Sequence, residues 1–116
     1  MNAKLSELLR ATLAKTEARA LTWQSFDENS FHVRIGAGAL HIQRLPPPPD
    51  EGSYSVDRYS LQVSDGLGRI VLETLVFGGE EGFQLCDDLF HSVQKNSSDT
   101  LLDEMLNALG SPRRAS

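Results

Sequence analysis

Few side chains in this chain could carry chemistry: three histidines, one cysteine and an adjacent pair of aspartates. His32 and His41 fall on two neighbouring strand-like segments, on one face and diagonal to each other. Two imidazoles can begin a transition-metal site, but such a site needs at least a third ligand. The neighbours on that face are Arg34 and Gln43, and a guanidinium repels a cation. The expectation is therefore two surface histidines and no stoichiometric metal. Cys86 would need a base or a positive group to become a nucleophile. Its neighbours are Asp87 and Asp88, which raise a thiol pKa, and it shares a helical stripe with Phe83 and Phe90. A buried structural cysteine is expected. Asp87 and Asp88 lie four and three residues before His91. That spacing can build a carboxylate–histidine site, and it also describes a solvated helix face with a weak charge pair. The second description is the one adopted. No G-x-S-x-G, H-E-x-x-H or P-loop pattern occurs. The expectation is no catalytic residue and no cofactor.

Two glycine-rich stretches raise the question of phosphate binding: Gly36-Ala37-Gly38 and Asp65-Gly66-Leu67-Gly68. A phosphate loop sits between a strand and a helix, so that the helix N-terminus holds the anion. Here a strand-like segment follows each loop. The third glycine of G-x-G-x-x-G is also missing, with His41 and Val71 at those positions. Both loops are expected to turn strands.

The elements around these residues follow from periodicity. Leu5, Leu8, Leu9, Thr12 and Leu13 recur at helical spacing and predict a helix over 3–20, capped by Asn2. The helix is expected to run out near Trp23, whose indole folds back under a sheet and needs a partner for its N–H. "SFDENS" reads as a polar turn. Phe31, Val33 and Ile35 alternate with His32 and Arg34, and "ALHIQRL" returns after a four-residue loop, 36–39, which sets Arg34 opposite His41. "PPPPDEGS" cannot join a ladder, and reads as a stiff loop between two hairpins. Tyr59–Ser64 and Ile70–Phe77 form the second hairpin. Residues 78–96 read as a second helix, with Phe83, Cys86, Leu89, Phe90 and Val93 as its apolar face. A third helix opens at Ser97 or Ser98, with Leu101, Leu102, Met105, Leu106 and Leu109 as its stripe; Gly110 and Pro112 stop it. The order helix, hairpin, hairpin, helix, helix predicts an α+β fold: a four-stranded antiparallel meander with an N-terminal helix and two C-terminal helices on one face. A single domain, 1–110, and a flexible tail, 111–116, are expected.

Composition narrows the function. The chain has 116 residues, 40% hydrophobic and 23% charged, as ordinary soluble domains do. Lys and Arg exceed Asp and Glu by two in residues 1–44 and fall short by nine in 45–110. An acidic chain repels phosphate backbones, so nucleic acid is not an expected partner. The single cysteine fits a reducing cytosol. The charged N-terminus does not read as a signal peptide, and no apolar run is long enough to span a membrane.

The pattern resembles a set of small bacterial proteins of unknown function and similar length. The resemblance rests on the leading helix with Thr16-Glu17, then Trp23, then Asp27-Glu28 before Phe31. It continues in the Y-x-L-x-V-x-D-x-x-G run from Tyr59 to Gly68, and the leucine-rich acidic segment Leu101 to Leu109. "PPPPDEGS" departs from that pattern. The resemblance implies no known activity and lends no catalytic residues.

What remains is a surface. Leu45, Val71, Leu75 and Phe77 alternate away from the core set and mark an apolar outer sheet face. The expected edge strands are Phe31–Ile35 and Ile70–Phe77. The expected function is a non-enzymatic, cytosolic protein–protein interaction or regulatory module, binding a protein partner or a second copy. The alternative is a small ligand-binding protein or enzyme with its pocket between sheet and helices.

Overall fold

The computed structural model describes residues 2–45 and 58–110; the proline-rich stretch and the C-terminal tail lie outside them. Helix α1 spans Ala3–Glu17. The Asn2 side-chain oxygen accepts from the backbone N–H groups of Lys4 at 2.8 Å and Leu5 at 3.3 Å, satisfying two donors that the helix leaves free. The helix stops short of residue 20 because Arg19 adopts a left-handed φ of +58°. Its N–H donates to the Thr16 carbonyl, and that of Ala20 to the Lys15 carbonyl. Those two bonds close a Schellman motif.

The sheet has five strands rather than four, in the order β1 (Trp23–Asp27), β2 (Ser30–Ile35), β3 (Gly38–Leu45), β4 (Arg58–Ser64) and β5 (Ile70–Phe77), each antiparallel to the next. The extra strand is β1, which the polar "SFDENS" concealed. An edge strand needs few inward apolar residues, and of β1 only Trp23 is buried. Phe31–Ile35 is therefore internal, and the edges are β1 and β5. The β2–β3 turn is also tighter than expected. Ile35 pairs with Gly38, leaving Gly36 and Ala37 as a two-residue connection. Gly36 takes φ +58°, which the first central position of such a turn favours. His32 then stands directly opposite His41, and Arg34 opposite Ala39.

The two expected C-terminal helices are one, α2, running Phe83–Ala108 over 26 residues. No glycine or proline interrupts it. Ser97 and Ser98 only lower helix propensity modestly, and tertiary contact overrides that. Asn96, next to the expected break, donates its side-chain amide to the Thr16 carbonyl at 3.2 Å. Among the described residues no helix is long and apolar enough to cross a membrane.

One apolar cluster joins α1, α2 and a single face of the sheet, with Leu9, Ile42, Tyr59, Leu89, Phe90 and Val93 each at 0% exposure. A polar contact inside it fixes how the pieces meet. The Trp23 indole donates to the Thr16 hydroxyl at 3.0 Å, and that hydroxyl donates to the Thr12 carbonyl at 2.7 Å. Thr16→Val keeps the shape but leaves the buried indole N–H unpaired. We expect a loss of about 1–3 kcal/mol in urea unfolding, with Thr16→Ser retaining most of the stability.

Candidate functional site

Strand alternation sorts the sheet into a covered and an open face. Tyr59 opposite Val76 and Leu61 opposite Thr74 point to the helices. Arg58 opposite Phe77, Ser60 opposite Leu75 and Gln62 opposite Glu73 point the other way. Leu45 pairs with Arg58 from the far side, so Leu45 and Phe77 flank one arginine in the same row. Val71, Leu75 and Phe77 follow along β5 at 63%, 48% and 39% exposure, while Leu45 is half-buried. The residues expected to form an interface thus share one face, three of them on an edge strand. Glu73, the charge among them, is held sideways by a hydrogen bond from the Gln62 amide.

On the β2–β3 side of this face the two histidines stand side by side, their rings tilted by 57°. Their ring centroids are 6.5 Å apart, and Phe26 lies against both, at 5.7 Å from His32 and 5.6 Å from His41. Phe26 was missed in the sequence because it sits in the stretch that reads as a turn. Burial, with His32 beside it, lowers the His41 pKa, and Asp27 partly opposes this. Among the described residues no three His, Cys, Asp or Glu side chains come together as a metal-binding group.

The helix chemistry is spent on structure. Cys86 is fully buried, and burial, then Asp87, pushes its thiol up to about 11. Asp87 accepts from the Tyr59 hydroxyl at 2.7 Å. Burial, then that bond, raises the Tyr59 pKa further above its ordinary value. The His91 Nδ1 lies 2.8 Å from the Asp87 backbone carbonyl and 3.6 Å from its carboxylate. His91 faces solvent beside a carboxylate that accepts from a buried phenol.

Two cavities open along the flanks of α2. One, of about 540 Å³, lies between α1 and α2 and is lined by Glu17, Asp88, His91 and Lys95. The other, of about 570 Å³, lies beside β1 and is lined by Leu21, Trp23, Leu101 and Glu104. The second runs between the β1–β2 edge of the sheet and α2, past Ser25, Phe31 and Gln94; deeper in, Leu9, Leu40, Tyr59 and Phe90 fill the space. The 65–68 loop is closed on itself. Asp65 accepts from the N–H groups of Leu67 at 2.9 Å and Arg69 at 3.0 Å, and the Gly68 N–H donates to the Asp65 carbonyl. Those amides are not free for an anion. The bond from the Arg69 backbone holds the Asp65 carboxyl below its usual range.

No family model, curated protein or solved structure matches the chain.

Two outcomes follow from this geometry. Gly68 sits at φ +81°, so Gly68→Val should cost about 1–3 kcal/mol in backbone strain, read as a lower urea midpoint. His41 binds its proton less readily folded than unfolded. Stability should therefore fall as pH drops through the unfolded value of about 6.5. Unfolding midpoints measured across that range should show a shallower slope in His41→Gln.

Proposed function

We propose that this chain is a non-enzymatic protein-interaction module that engages a partner protein through the open face and free edge of β5. The observation that carries the reading is the run Val71, Leu75 and Phe77, exposed on an edge strand. An uncovered strand edge offers backbone donors and acceptors to an extended segment, and the side chains of one face supply the apolar grip. Fully burying each of these side chains contributes about 1.5–3 kcal/mol, and they begin half covered, so roughly half of that is left for a partner. Glu73, on the same strand face, accepts a hydrogen bond from the Gln62 amide. A reducing cytosol is the proposed compartment, which the lone buried cysteine fits.

Support for a binding role also comes from where the polar groups went. Tyr59, Asp87 and Cys86 are consumed in packing around α2. The ligand-binding alternative places its pocket between sheet and helices; the centre of that layer is filled by large side chains, and the cavity between the β1 edge and α2 is where such a ligand would sit.

The test uses the intact chain as bait. A protein retained by the wild type should be lost, by tenfold or more, on Leu75→Glu with Phe77→Glu. Circular dichroism should show the double variant still folded. Equal retention by the folded variant would remove β5 as the contact, and a stoichiometric small molecule in native mass spectrometry would favour the ligand-binding alternative.

A further inference from the structure

We propose that the chain forms a twofold dimer through the C-terminal half of α2, with two antiparallel copies packed along Leu102, Met105 and Leu109. This surface is separate from β5.

The inference starts from the direction of two stripes on one helix. Cys86, Leu89, Phe90 and Val93 are buried against the sheet and α1. Leu101, Leu102, Met105 and Leu109 are 56%, 56%, 54% and 81% exposed. At 3.6 residues per turn the second group is rotated by roughly 120° from the first. The direction that continues the buried stripe is taken by Ser97, Thr100 and Glu104. The distal stripe is therefore not an unfinished part of this chain's core. α1 holds another flank of α2 through Asn96 on the Thr16 carbonyl and Arg19 on Asp99 at 2.6 Å. Leu102, Met105 and Leu109 point away from both, while Leu101 borders the cavity beside β1.

A second copy is the occupant that fits. Leu102 lies three residues before Met105 and Leu109 four residues after it. In an antiparallel pair centred on Met105, Leu102 then meets the partner's Leu109 with an axial offset of about 1.5 Å. The stripe is self-complementary, as a twofold contact requires. Charge argues the same way. Asp99, Asp103 and Glu104 are the charges of the distal segment, and each lies roughly 100° or more from the stripe centre. Two copies can close without opposing carboxylates, whereas a basic partner helix would find its counter-charges on the wrong side. Area completes the argument. The four exposed side chains offer roughly 450 Å² per copy; with Leu106 and Ala108 at the rim, the pair reaches roughly 1,000 Å², the lower bound of specific interfaces. The dimer is expected to be reversible and of micromolar strength, and it leaves both β5 surfaces free.

Light scattering with size-exclusion chromatography at submillimolar concentration tests this. The wild type should approach twice 12.8 kDa. Leu102→Glu with Leu109→Glu should return the monomer mass with an unchanged circular dichroism spectrum, and Phe77→Glu should stay dimeric. Met105→Cys gives a readout free of folding defects, because Cys86 is buried. Mild oxidation should link two copies through the introduced thiols. A wild-type monomer overturns the proposal. So does a dimer broken by Phe77→Glu and not by the α2 substitutions. That last result would leave β5 as a contact surface, so the two readings fail separately.

Discussion

Three elements meet at Thr16. Its hydroxyl accepts from the Trp23 indole and donates within α1, and its carbonyl accepts from Asn96 on α2. A buried indole N–H without a partner is costly, so this contact settles where the first strand begins relative to the first helix. Once Trp23 is held there, the chain enters β1 at once, pairs with β2, and runs out as a meander. Once Asn96 is held there, α2 passes α1 without a break. Both helices then serve the same face of the sheet. The β5 side of the opposite face and the apolar stripe on the distal turns of α2 stay exposed among the described residues.

Much of that arrangement was legible in the residues, and the failures have physical causes. Alternation in Phe31–Ile35, Leu40–Ile42, Tyr59–Val63 and Ile70–Phe77 marks real strands, because one covered face demands a period of two. β1 escaped notice because an edge strand with one buried residue has almost no period to read. The expected break at Ser97 rested on local propensity, which the Asn96 contact outweighs. The register error at 36–39 was a slip of two residues, which keeps Val33, Leu40 and Ile42 on the covered face and so leaves no trace in the alternation. That Leu45, Val71, Leu75 and Phe77 share the outer sheet face was readable from alternation alone. The distal α2 stripe was read as core. Only a continuous helix lets its rotation away from Cys86, Leu89, Phe90 and Val93 be seen.

The functional account rests on what the fold leaves uncovered. Polar groups that could react are drawn inward or tied to neighbours: Cys86 is buried, Asp87 is held by Tyr59, and Asp65 closes its own turn. Apolar groups that ordinarily build a core stand outside, on β5 and on the distal turns of α2. The proposed interaction role rests on that inversion. Its most direct test is isotope-filtered nuclear magnetic resonance on an equal mixture of labelled and unlabelled chain. The account predicts intermolecular contacts from the methyl groups of Leu102, Met105 and Leu109, and none from Leu89 or Val93. A mixture tumbling as monomers, with no intermolecular contact from those methyl groups, would contradict it.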